Sequence, residues 1–190
     1  MASVGYVIMW HSIQSKLSLV FLVFLALIAA SVASTSRALE RQTTDTLTIG
    51  AAVEQRVLVH SVSHHVFRIQ TGRQSAEYYL ELSKLNEAAG QFETMLETML
   101  SGGALPVGGR GRAVQIPAVA DSAMRAQLQL VREHWLPIAT AVEVLLTNAS
   151  VLEHSRAITE IQTKTTYLSR ELDTLVEMLE SHSRRNLALL

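Results

Sequence analysis

Four stretches of the chain repeat apolar residues at alternating steps of three and four, the spacing of helices that pack along one face. One seam reads Tyr78, Leu82, Leu85, Ala89, Phe92, Leu96 and Met99. Another reads Met124, Leu128, Val131, Trp135, Ile138, Val142 and Leu145, with Asp121 or Ser122 as N-cap. A third reads Ile158, Ile161, Thr165, Leu168, Leu172, Leu175, Leu179 and His182, where Thr165 is a polar position of the kind that fixes register. The first in chain order lies within Thr48 to Gln70 and reads Ile49, Ala52, Arg56, Val59, Ser63 and Val66. It therefore sets an arginine on a seam. A guanidinium there points at a partner helix and needs an acid, a carbonyl or a bound anion. Two readings stand: a salt bridge or snorkelling stem, and an anion sensor at a helix–helix interface.

The predicted helices run from Arg37 to Thr71 with Gly72 as stop, Ser75 to Ser101 ended by Gly102-Gly103, Asp121 or Ser122 onward with Pro137 kinking or dividing it, and Asn148 to Leu190. Between the second and third, Gly102 to Asp121 reads as a solvated connector of Gly, Pro and scattered Arg. Its Gly108-Gly109-Arg110-Gly111 lacks the preceding strand, the following helix and the Lys-Ser/Thr ending of a phosphate loop.

Ahead of these helices, Leu17 to Ala33 is uncharged over 17 residues, the lower limit for a membrane span. The rival is a cleaved secretory signal with Ser31-Val32-Ala33 at the cut. A signal core is about 7–15 residues, so the length favours an uncleaved anchor. The fold class expected is all-α, an antiparallel four-helix bundle following an N-terminal transmembrane helix. Parity returns the chain to the membrane at Asn186 to Leu190, which reads as the first turn of a second span. The organisation is then a lead-in over 1–16, a span over 17–34, a bundle over 37–187 and a further membrane segment begun at 187–190. The outer helices, at about 50 Å against about 40 Å for the inner pair, extend farther on the membrane side and suit an axial shift.

Composition narrows the chemistry. The net charge of −1 among 190 residues gives no reason to expect nucleic acid. The absence of cysteine excludes disulfides and thiolate metal sites. No nucleophile–base pair, carboxylate pair or cofactor fingerprint stands out, so neither an enzyme nor a cofactor is expected. His60 and His64 share one helical face at i, i+4, a spacing that can hold a metal, with His65 adjacent. The plainer reading is solvent-facing or interface histidines. His134, His154 and His182 carry no pattern.

Ile49-Gly50-Ala51-Ala52-Val53-Glu54-Gln55-Arg56-Val57-Leu58-Val59-His60-Ser61 resembles the first-helix motif I-N-x-A-G-x-Q-R-M-L-S-Q-R. That motif belongs to the N-terminal sensor domain shared by type IV pili methyl-accepting chemotaxis transducers and NarX-type nitrate/nitrite sensor kinases. Ile49, Ala52, Gln55, Arg56 and Leu58 match; Gly50, Val53 and Ser61 depart from it. Phe92 to Gly103 is similar to the family's F-x(3)-L-x(2)-L-x-x-G-G, and Gln115-Ile116-Pro117-Ala118, Gln127-Leu128, Val131 and Trp135-Leu136-Pro137 follow in the family's order. Asn148 also falls where the family often has Asn.

The resemblance spans roughly Leu17 to Leu190. It implies a dimeric, periplasmic, ligand-sensing bundle at a bacterial inner membrane, with a small anion bound between subunits. Arg56 stands where the family binds its anion, and Gln55, Ala52 and Val59 complete the candidate ligand-binding set. Glu54 lowers the local positive potential beside it. Partners implied are a second copy, the inner membrane and a full-length receptor or cytoplasmic signalling protein. No kinase or methyl-accepting output motif is expected within these residues. The alternative is a membrane-tethered structural or interaction bundle that binds no ligand.

Overall fold

A computed structural model of the protein describes residues 4–72, 77–107, 112–147 and 150–188. It is all-helical apart from one short hairpin. Helices α1 (Val4–Thr71), α2 (Glu77–Ser101), α3 (Ser122–Leu146) and α4 (Val151–Ala188) follow in order, with β1 (Gly103–Val107) and β2 (Arg112–Ile116) between α2 and α3. The chain divides into two compact units, Met1–Thr43 and Thr44–Leu190.

In the first unit, Lys16–Ser36 forms a 21-residue stretch of helix in which every residue is exposed. It is long and apolar enough to cross a membrane, a test that a secretory signal also passes. Leu17, Val20 and Leu22 are each more than 60% exposed. Thr35 donates its hydroxyl to the Ser31 carbonyl at 2.9 Å, so that polar group is satisfied within the helix.

The second unit holds the core. All seven predicted α3 seam residues are buried, Met124 to Leu145. On α4, Ile158, Ile161, Thr165, Leu168, Leu172, Leu175 and Leu179 are buried, while His182 is half-buried. On α2, Leu85, Ala89, Phe92, Leu96 and Met99 are buried and Tyr78 and Leu82 pack partly against the core. The Phe92 and Trp135 rings stack at 4.2 Å between centroids and join α2 to α3. Trp135 is thus a core anchor, at 3% exposure.

The α1 seam requires correction. Its buried residues are Thr48, Ala51, Ala52, Gln55, Leu58, Val59, Val62, Val66 and Ile69. Ala52, Val59 and Val66 belong to both patterns, but Leu58, Val62 and Ile69 draw the buried face round by roughly a quarter turn. Gln55 therefore occupies the core, and Arg56 does not.

The helix ends are explained by local chemistry. Gly72 donates its N–H to the Arg68 carbonyl at 2.9 Å, the last rung of the α1 ladder. The Asp121 carboxylate accepts from Ala123 N at 2.9 Å and Met124 N at 3.0 Å and caps α3. Those bonds, Met124's first, hold the Asp121 carboxyl below its usual range against the cost of desolvation. Ser150 and Glu153 exchange side-chain and backbone bonds in a capping box at the start of α4. Helix α3 continues through Pro137 instead of ending there. The Pro costs one backbone hydrogen bond, and burial of Ile138, Ala141, Val142 and Leu145 beyond it holds the helix together.

The connector is also not a solvated loop. β1 and β2 pair antiparallel, Gly103 opposite Ile116 and Leu105 opposite Val114. Leu105, Ile116 and Val119 are buried, which explains why this segment orders. Gly102 turns the chain out of α2 at φ +77°, and a Cβ there would lie 2.9 Å from the Ala118 nitrogen. Gly108 to Gly111 and Asn148 lie outside the described residues.

Candidate functional site

Within the second unit, α1 presents four distinct sides. At 100° per residue, each side collects residues three, four and seven apart. Of the predicted ligand-binding set, Ala52, Gln55 and Val59 lie on the core side at 0%, 0% and 1% exposure. The Gln55 amide has no hydrogen-bond partner at either Nε2 or Oε1, and Trp135 Nε1 is likewise unpartnered. An unpaired buried amide costs about 1–3 kcal/mol.

Arg56 turns toward α4. Its Nη1 lies 3.1 Å from Asp173 Oδ1, with the two side chains 51% and 48% exposed. The Asp173 Oδ1 that meets it is itself buried and makes no aligned hydrogen bond, so the contact is one of charge only. Exposed pairs of this kind contribute about 0–1 kcal/mol. Farther along the same side, Gln162 donates to Gln70 at 3.0 Å, and Asn186 donates to Asp45 at 3.2 Å.

The side facing α2 is more tightly made. His65 donates through Nδ1 to Glu81 Oε2 at 2.6 Å, and the Lys84 ammonium reaches Glu81 Oε1 at 3.3 Å. Glu81 is 6% exposed. The bond from His65, then Lys84, lowers its pKa against desolvation. Nearby, Arg68 Nη2 pairs with Glu77 Oε2 at 2.6 Å.

The remaining side, opposite the core, carries Gly50, Val53, Val57, His60, His64 and Phe67, all exposed. Val53, Val57 and Phe67 are 45%, 61% and 54% exposed. The His60–His64 alternative thus sits on an outward face. Among the described residues, no three His, Cys, Asp or Glu side chains gather as metal ligands.

Arg56 alone of the predicted set offers atoms to solvent. Asp173 and Glu81 went unnoticed in the sequence because each flanks a seam position. No family model, curated protein or solved structure matches the chain.

Proposed function

We propose that the chain is the ligand-sensing module of a bacterial transmembrane signalling receptor. In this reading the second unit is an antiparallel four-helix bundle in the periplasm, anchored in the inner membrane by Lys16–Ser36, and it works as a homodimer. Opposed numbering in the contacts supports the arrangement. From Asp45–Asn186 through Arg56–Asp173 to Gln70–Gln162, residue numbers rise on α1 as they fall on α4. His65–Glu81 and Arg68–Glu77 behave likewise between α1 and α2.

The observation that carries the function is the exposed Arg56–Asp173 pair. A small anion that takes the guanidinium releases Asp173 and loosens α1 from α4. The two helices then shift relative to each other, which biases a receptor or cytoplasmic partner between states. The test is calorimetric titration of the full chain in detergent with nitrate and other small anions. Binding disappears in Arg56→Ala and tightens in Asp173→Asn, which removes the competitor. Equal affinity in Arg56→Ala and the parent overturns the assignment.

A structural or interaction module is the second reading, favoured by the apolar exposed side of α1. Self-association that persists with no anion bound at any concentration selects it.

A further inference from the structure

The outward side of α1 is patterned as regularly as the buried one. Gly50, Val53, Val57, His60, His64 and Phe67 step by three, four, three, four and three. From Val53 to Phe67 these residues fall within about 80° of one another, opposite Gln55 and Val62. None is charged; the charges begin on the flanks, at Glu54, Arg56 and Arg68. Such a stripe suits a parallel partner with the same sequence, since each layer meets its own copy without like-charge repulsion. Two chains anchored in one bilayer present this side with the same polarity, so a second copy is the occupant argued here.

We propose that His60 and His64 from two copies together form a four-imidazole site for a divalent transition ion, with zinc as the fitting metal. The inference rests on the homodimer of the sensor reading. One turn of helix separates the two histidines, which brings their rings within reach of one ion at about 2.0–2.1 Å per bond. Imidazole is a preferred zinc ligand, and four nitrogens satisfy tetrahedral coordination. One chain supplies two ligands, and no third His, Cys, Asp or Glu joins them among its described residues. The site is therefore incomplete without the second copy. His65 stays out of the site because its ring is turned to α2, where Nδ1 donates to Glu81 and the side chain is only 14% exposed. The nearby cations are compensated too: Arg56 faces Asp173 and Arg68 faces Glu77. Val57 and Phe67 shield the layers on either side from water.

The test uses the full chain in detergent micelles, first with chelator and then titrated with cobalt(II), followed by zinc. Mass is read by sedimentation and geometry by visible absorption. The site gives the intense bands of tetrahedral cobalt, saturates at one ion per two chains, and is bleached when zinc displaces the cobalt. His60→Ala and His64→Ala each abolish those bands, while His154→Ala retains them. A weak octahedral spectrum, saturation at one ion per chain, or bands that survive His60→Ala overturn the proposal. A dimer that forms in chelator and gives no tetrahedral spectrum overturns the metal site and leaves the sensor reading standing. A chain that stays monomeric with and without metal overturns both.

Discussion

Helices α1 and α3 contribute to the same core by opposite designs. α3 has one apolar stripe, Met124 to Leu145, and every member of it is buried. α1, after Thr44, has apolar residues on two sides. Ala52, Leu58, Val62 and Ile69 face inward, while Val53, Val57 and Phe67 face out. Its inward side also contains an unpartnered amide at Gln55. α3 also exposes Leu130, Leu136 and Leu146, but at 100° per residue these do not gather on one side, whereas Val53, Val57 and Phe67 share one side of α1.

That contrast can be broken experimentally, most sharply on α3. Leu128 is fully buried, so Leu128→Ala removes transfer energy and leaves a cavity, at a cost of about 2–5 kcal/mol in denaturant unfolding. A loss no larger than that for truncating exposed Val57 would erase the distinction between the helices. The next effect has the opposite sign. Gln55→Met removes the unpaired amide while keeping a similar shape and gains about 1–3 kcal/mol. A neutral or destabilising result means that an internal water or other group satisfies Gln55, and α1 then packs as completely as α3.

The smallest effect is that of pH. The Glu81 carboxyl titrates below its ordinary value in the folded chain because His65 donates to it. Its contribution is present above the unfolded pKa, near 4.5, and is lost as pH falls through the lower folded value. His65→Leu should flatten the acid limb of a stability-against-pH curve. An unchanged limb in that variant assigns the acid loss to other carboxylates.

The same asymmetry governed what the sequence disclosed. On α3 and α4 the regularly spaced apolar residues mark one face, so the spacing identified the buried seams that start at Met124 and Ile158. On α1, apolar residues on two sides make several three-and-four patterns available, and the one through Arg56 lies between the inward and outward faces. Long-range packing decides among them, and no local spacing encodes it. The hairpin was missed for a related reason. Gly and Pro advertised a turn, whereas the burial of Leu105 and Ile116 depends on the helices beneath. Spacing set Arg56 on the seam, and packing puts its neighbour Gln55 there instead.

Gln127 fastens α3 to α4 in an unusual way. Its amide donates both to the Glu171 backbone carbonyl at 2.9 Å and to the Glu171 carboxylate at 2.8 Å. A main-chain atom cannot change rotamer, so this grip indexes α4 against α3 to within a fraction of a turn. The polar ties described between α4 and α1, by contrast, join side-chain tips. In mechanical terms, this clamp would make α3 and α4 the stator of the proposed shift, with α1 the part that slides.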